Sequence, residues 1–169
     1  MINETSYSKR QLIYLLILRF AIGWHVLYEG MAKVLNPEWT SYGFLQEFQG
    51  IMSGISQWIL SNPQVLDTVD FLNTWGLVLI GLGVIFGFLF KPAAIAGSVL
   101  IFVYYLSTPP LIGFEYSLPA DGNNLIINRV LIESIALLGL ALFPTNKIFG
   151  LDFFMQSFLK RKGRNGRKK

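Results

Sequence analysis

The sequence predicts an all-α membrane protein: a four-transmembrane-helix bundle with an amphipathic interfacial helix in its first outer loop. Of the 169 residues, 53% are hydrophobic and 14% are charged, whereas a soluble domain carries about 25% charged residues. The mean hydropathy is +0.49. Apolar segments alternate with polar connections, and the longest of them exceed the roughly 20 residues that cross a bilayer. We therefore expect a single integral membrane domain over residues 1–169, surrounded by lipid.

The first predicted span covers residues 11–35 and contains four ionisable side chains: Arg19, His25, Glu29 and Lys33. Each such group inside a span costs about 2.5–3.5 kcal/mol on insertion scales, so these side chains need protein partners. At about 100° per residue they lie along one side of the helix. A basic segment before an apolar run also occurs in signal peptides, but this run is too long and lacks a small-residue cleavage site.

Three further spans are predicted at residues 71–90, 92–106 and 124–143. The second span has no charged residue, and its glycines would let a neighbouring helix backbone approach closely. We expect Lys91 and Pro92 to form the turn into the third span, since proline suits the first position of a helix. The fourth span carries Arg129 and Glu133 one helical turn apart and is expected to end at Pro144.

The long connection between the first two spans has a helical pattern of its own. Apolar residues recur at three-to-four spacing from Phe44 to Ile59, which predicts one amphipathic helix that ends before Asn62 and Pro63. Glu47 is the single charged residue in this stretch. We expect the helix to lie in the membrane interface or to cap the bundle, with a lid over an outward-facing pocket as the alternative.

The distribution of charge predicts the orientation in the membrane. Residues 36–70 and 107–123 contain acidic residues but no lysine or arginine. The basic residues that flank the spans, Lys9, Arg10, Lys91 and those of the tail of residues 144–169, all lie on the opposite side. By the positive-inside rule both termini are cytoplasmic, in a plasma (inner) membrane protein. A basic tail beside a membrane is typical of an orientation signal that lies against anionic lipid, so no nucleic-acid partner is expected.

Counting about 1.5 Å per residue along the helices places Glu29 level with Arg129, and His25 level with Glu133. We therefore expect the first and last spans to be neighbours that share a polar seam, which also includes Arg19. Two interpretations stay open: the groups hold the helices together, or His25 between two carboxylates forms a proton path to a small polar ligand. With no cysteine and one histidine, the sequence predicts no metal or haem site.

One motif of the first span carries a resemblance to a known family: Arg19-x3-Gly23-Trp24-x4-Glu29-Gly30-x2-Lys33. It resembles the DoxX/DoxD-like membrane proteins, and more closely the branch named for the DoxD small subunit of thiosulfate:quinone oxidoreductase. The branch is similar in three further features: the long outer loop with Trp39 and Trp58, the glycine-rich second span, and the residues Gly122, Asn123, Asn124 and Asn128.

The resemblance implies a four-helix bundle that works with a second, mostly extracytoplasmic redox subunit. Together they oxidise thiosulfate to tetrathionate and pass electrons to quinone, which is the one cofactor implied. The family residues that would line a quinone or anion pocket are Arg19, Glu29, Lys33, Asn128, Arg129 and Glu133.

We expect the catalytic, proton-handling groups to be His25, Glu29 and Glu133. The groups expected to bind substrate or quinone are Arg19, Lys33, Asn128 and Arg129. The sequence leaves open whether the chain is itself an enzyme and whether it forms a homo-oligomer. The alternatives are a non-catalytic membrane anchor or assembly protein for a redox partner and, less favoured because no internal repeat is apparent, a small-solute carrier.

Overall fold

The computed structural model describes residues 7–111, 113, 116–117, 125–143, 145 and 148–152. Within these residues the chain is all-helical and contains no strand, in agreement with the predicted fold class. The helices are α1 (Lys9–Val34), α2 (Tyr42–Gln46), α3 (Ser53–Leu60), α4 (Pro63–Phe86), α5 (Phe90–Ser107) and α6 (Arg129–Leu142).

Three of the helices are long and apolar enough to cross a membrane: α1, α4 and α5, with 26, 24 and 18 residues. They support the prediction of a multi-pass membrane protein. α6 has 14 residues, which at 1.5 Å per residue makes it about 21 Å long, against about 30 Å for the hydrocarbon core of a bilayer. Residue 124, where the fourth span is predicted to begin, lies outside the described residues, and the four-span count stays a prediction.

The four long helices run up, down, up and down. We call the two ends of the bundle the Lys9 end, where α1 begins, and the Val34 end, where α1 ends. α1 packs mainly along α4, α5 packs along α6, and α4 and α5 join the two pairs. α1 and α6 are in contact, as the sequence predicts. Among these four helix pairs, α1 and α6 share the least extensive contact.

Glycines bring the backbones of α1 and α4 together. A Cβ atom at Gly81 of α4 would lie 2.6 Å from the backbone nitrogen of Leu27, and one at Gly30 of α1 would lie 2.7 Å from the backbone nitrogen of Val78. Real Cβ atoms do not approach backbone atoms this closely, so the contact requires glycine at both positions. Gly76, which belongs to the same predicted glycine-rich span, has no atom within 4 Å of such a Cβ.

α5 and α6 are joined by a pair of reciprocal hydrogen bonds in the interior. The Ser98 hydroxyl donates to the Ser134 carbonyl oxygen at 2.8 Å, and the Ser134 hydroxyl donates to the Ser98 carbonyl oxygen at 2.9 Å. Both side chains are buried beside the apolar core, in which Val84 and Leu137 are fully buried. The two hydroxyls are therefore satisfied without water.

The turn between α4 and α5 lies four residues earlier than predicted. α4 ends at Gly87, which adopts the left-handed conformation with φ +65, and α5 begins at Phe90. Lys91 and Pro92 belong to the first turn of α5. Proline is accommodated there because the first backbone N–H groups of a helix have no intrahelical partner in any case.

The connection between α1 and α4 is not the single amphipathic helix that the sequence predicts. α2 and α3 are separated by a 3-10 turn at Gly50–Met52, because Gly50 has φ +62, which a continuing helix cannot contain. The backbone N–H of Gln49 donates to the Ser107 carbonyl oxygen at 3.2 Å, and that of Ser41 donates to Asp70 at 2.9 Å. The connection therefore covers the Val34 end of α4 and α5.

Arg19 ties together the Lys9 end of the bundle. Its side chain is 2% exposed. Nε donates to the Val84 carbonyl oxygen at 2.7 Å, and Nη2 donates to the Ile85 carbonyl oxygen at 2.9 Å. These carbonyl groups belong to the last turn of α4, where they have no intrahelical partner, so Arg19 of one helix caps the end of its neighbour.

The same guanidinium also holds the chain that follows α6. Nη1 donates to the Thr145 hydroxyl at 3.3 Å and to the Phe149 carbonyl oxygen at 2.8 Å. The Phe90 ring centre lies 4.9 Å from Cζ, in a cation–π contact. Arg19 thus joins α1, α4, the start of α5 and the segment after α6.

We predict that Gly81→Ala destabilises the protein by about 1–3 kcal/mol, the usual cost of overpacking, because the added methyl group meets the α1 backbone. Gly76→Ala is the matched control in the same helix and should be neutral or stabilising by up to about 1 kcal/mol, since alanine favours helix over glycine. Thermal unfolding in detergent measures both. Equal midpoints for the two variants would contradict the close α1–α4 packing.

We predict that Arg19→Lys lowers stability by about 3 kcal/mol, because an ammonium group has no planar fork to reach carbonyl oxygens on two segments at once. Because lysine keeps the positive charge, the loss of stability measures what the planar geometry of the guanidinium contributes. Arg10→Lys, at an exposed position of the same helix, should leave the free energy of unfolding within about 0.5 kcal/mol of the native value. A stable Arg19→Lys protein would exclude the capping role.

Candidate functional site

His25 of α1 and Glu133 of α6 meet where these two helices touch. Nε2 of His25 lies 3.6 Å from Oε2 of Glu133. That separation suits an ion pair when the imidazole is protonated, and it is longer than a hydrogen bond. The structure therefore brings together two groups that the sequence places at the same level of two different helices.

Two further ionisable groups surround this pair. Glu133 interacts electrostatically with His25, with Arg129 one turn earlier on α6, and with Glu29 one turn later on α1. We call His25, Glu29, Arg129 and Glu133 the α1–α6 cluster. A direct Glu29–Arg129 pair stays a prediction.

The α1–α6 cluster is open at the side of the bundle. The His25 side chain is 43% exposed, against 16% for Glu133, and Glu29 and Arg129 are both exposed. His25 lies about 14 Å along α1 from the Val34 end, counted at 1.5 Å per residue, so this exposure falls within a membrane-spanning helix. Ionisable groups at such depth are costly to expose to lipid.

Lys33 lies outside the cluster and beneath the connection that covers the Val34 end. Its Nζ lies 5.2 Å from the centre of the Trp39 ring and 6.0 Å from that of Tyr104. Glu29 interacts electrostatically with the same ammonium group. Cation–π contacts of this kind hold a lysine in place without an exposed ion pair, so Lys33 fastens the connection to α1.

Asn128, a further predicted binding residue, caps α6. Its side-chain oxygen accepts a hydrogen bond from the Leu131 backbone N–H at 3.0 Å, and the residue is 8% exposed. Arg19 lies six residues from His25, about 9 Å along α1, and its bonds are directed to the Lys9 end. Of the seven predicted site residues, the structure gathers His25, Glu29, Arg129 and Glu133. Lys33 adjoins this cluster through Glu29, whereas Arg19 and Asn128 make their contacts elsewhere.

Tyr104 is a residue near the site that the sequence analysis does not single out. Its hydroxyl donates to Oδ1 of Asn73 at 2.6 Å, its ring lies 5.7 Å from that of Phe44, and it interacts electrostatically with Glu29. The adjacent pair Tyr104 and Tyr105 at the end of a span is the available signal, since tyrosine is enriched where membrane helices meet water. Tyr104 links the covering connection to the neighbourhood of the cluster.

The residues that the structure describes contain no group of three or more histidine, cysteine or acidic side chains arranged to hold a metal ion. The α1–α6 cluster offers proton-transfer groups and one cation. These side chains are of the types that can bind a small polar group and pass a proton between an imidazole and a carboxylate.

Comparison with known proteins identifies one family. The DoxX family model matches residues 14–109, more than half of the chain, which covers most of α1 and all of α2, α3, α4 and α5. No curated protein and no solved structure matches the chain significantly. The chain belongs to the DoxX family of membrane proteins.

Proposed function

We propose that this chain is the membrane subunit of a quinone-linked oxidoreductase, and that the α1–α6 cluster binds the quinone head group and delivers protons to it. The observation that carries the proposal is the His25–Glu133 contact at 3.6 Å in a seam that is open at the side of the bundle. Membership of the DoxX family supports a role in a redox complex.

Arg19 and His25 lie on the same helix but differ in exposure, and this difference favours ligand binding over helix packing as the role of His25. Arg19 is 2% exposed and uses four of its N–H groups in hydrogen bonds to neighbouring segments. A group that serves packing is expected to be enclosed in this way. His25, whose side chain is 43% exposed, is not.

The side chains of the cluster have the donors and acceptors that a quinone head group needs. Arg129 and the imidazole of His25 are donors for its two carbonyl oxygens. A bound quinone takes up two electrons and two protons when it is reduced. In this proposal His25 gives up or takes a proton at Nε2, and Glu133, whose Oε2 lies 3.6 Å away, receives or returns it.

The proposed arrangement in the membrane has four crossings, with the Lys9 end in the cytoplasm. The segment around α6 extends along the whole bundle: at the Val34 end the Tyr105 hydroxyl donates to the Ile126 carbonyl oxygen at 2.8 Å, and at the Lys9 end Arg19 bonds to Thr145. Exposed basic residues, among them Lys9 and Lys91, lie at the Lys9 end. This is the arrangement that the positive-inside rule favours in a plasma membrane.

We assign the electron donor to a second, extracytoplasmic subunit. Thiosulfate is the donor that the resemblance to the DoxD branch implies, with tetrathionate as its product. We place oxidation of the donor on that partner, because the α1–α6 cluster of this chain offers proton-transfer groups and one cation. In this division of labour the present chain binds the quinone.

A non-catalytic anchor is the second candidate, and exposure of Glu29 and Arg129 toward the Val34 end favours it. Charges at that position suit ion pairs with a partner subunit. The two candidates differ in what covers the seam: a quinone in one, a protein in the other.

We predict that decylubiquinone shifts the imidazole signals of the full-length protein in detergent. The chain contains a single histidine, so NMR of histidine-labelled protein reports His25 without assignment. His25→Asn and Glu133→Gln should each weaken decylubiquinone binding about tenfold, the effect of losing one hydrogen bond to a charged or ionisable group. Asp67→Asn, at an exposed position of α4, is the control and should bind normally.

Unchanged imidazole signals at saturating decylubiquinone would reject quinone binding at the cluster. The anchor candidate predicts a different pattern in native mass spectrometry of extracted membranes: the wild-type protein carries a partner subunit and no quinone, and Glu29→Gln releases that partner.

We also predict direct coupling between Glu29 and Arg129. Glu29→Gln and Arg129→Gln should each lower decylubiquinone affinity, because each leaves an unpaired charge at the seam, and the double variant should recover part of the loss. Binding titrations of the four proteins form a double-mutant cycle. Strictly additive losses would mean that the two side chains do not pair.

A further inference from the structure

We propose that a groove at the Lys9 end binds the head group of an anionic phospholipid. The groove lies between the first turns of α1 and the end of α6 and has a volume of about 520 Å³, within the range of small-molecule sites, roughly 300–1,000 Å³. Leu15 in its wall is ten residues from His25, so it is about 15 Å from the α1–α6 cluster and independent of the quinone proposal. The groove is lined by Tyr7, Arg10, Gln11, Tyr14, Leu15 and Phe143.

The Tyr7 hydroxyl is the first sign of a ligand. It is buried, and it makes no hydrogen bond to any residue in the described part of the chain. Buried hydroxyl groups in native proteins nearly always have a partner, because an unsatisfied one is destabilising. Tyr7 lines the groove, so a turn of its side chain toward the groove would let a phosphate oxygen there supply the missing acceptor.

The charge of the groove selects an anion. Among the described residues that line it, Arg10 is the charged one, and it is exposed. A guanidinium binds phosphate through two parallel N–H···O bonds, which an ammonium group cannot do. The groove therefore combines a phosphate-binding cation with a hydroxyl donor.

The remaining walls of the groove indicate a lipid and not a free phosphate. Tyr14, Leu15 and Phe143 form an apolar surface, and Tyr14 and Phe143 are 74% and 48% exposed. The groove lies at one end of three apolar helices of membrane-spanning length, the level at which head groups meet acyl chains. A lipid uses both parts of the groove: its phosphate meets Arg10 and Tyr7, and its acyl chain covers the apolar wall.

Native mass spectrometry of the full-length protein tests the proposal. Phosphatidylglycerol is titrated against the protein in neutral detergent, with phosphatidylcholine and inorganic phosphate as separate arms. We expect one phosphatidylglycerol to be retained in preference to phosphatidylcholine. Arg10→Gln should weaken its retention about fivefold and Tyr7→Phe about two- to threefold.

Lys9→Gln is the matched control, because Lys9 is an exposed cation next to Arg10 but does not line the groove. We expect its effect to stay below about twofold, since a single exposed surface charge is screened. Equal losses for Lys9→Gln and Arg10→Gln would show general surface attraction and overturn the site. Equal retention of phosphatidylcholine would overturn the choice of an anion, and Arg10-dependent binding of inorganic phosphate without lipid retention would overturn the choice of a lipid.

Discussion

The structure depends on a constraint that the bilayer imposes on α1: every ionisable group of a membrane helix must find a partner that replaces water. Arg19 meets this constraint at the Lys9 end through hydrogen bonds to the backbone carbonyls of α4 and of the segment after α6. Those carbonyl groups are left over where a helix ends, so they need a donor as much as Arg19 needs acceptors. One side chain thereby satisfies its own N–H groups and the free carbonyl groups at the end of α4. It also fixes the relative positions of α1, α4 and the segment after α6.

The ionisable groups of α1 closer to the Val34 end meet the same constraint less completely than Arg19 does. Lys33 is shielded by the rings of Trp39 and Tyr104. His25 has Glu133 at 3.6 Å, and its side chain is still 43% exposed. Stability favours the enclosure seen at Arg19, so the exposure of His25 has a cost in a membrane. This difference along one helix is the basis on which we separate Arg19, as a structural cation, from the cluster proposed to bind a ligand.

The sequence predicts those features that follow from the regular geometry of a helix. Spacing along two helices places His25 level with Glu133, and the contact between them follows because rise and rotation per residue are nearly fixed. The bonds of Arg19 could not be predicted, since backbone carbonyl groups have no signature in the sequence. The break at Gly50 could not be predicted either, because a glycine is compatible with a helix and the surrounding apolar spacing continues through it.

The contacts between neighbouring helices differ in kind, and this difference affects where a ligand could reach the α1–α6 cluster. α1 is joined to α4 through glycines at backbone contact distance, and α5 is joined to α6 through the reciprocal Ser98 and Ser134 bonds. Between α1 and α6 the contact is the least extensive, and it relies on polar groups at separate levels. Polar contacts can exchange partners with a ligand, whereas interlocked glycines cannot move without disrupting the backbone packing. Two interfaces join the α1–α4 pair to the α5–α6 pair, and the α1–α6 seam is the less extensive of the two. The proposed entry of a head group at this seam leaves both pairs intact.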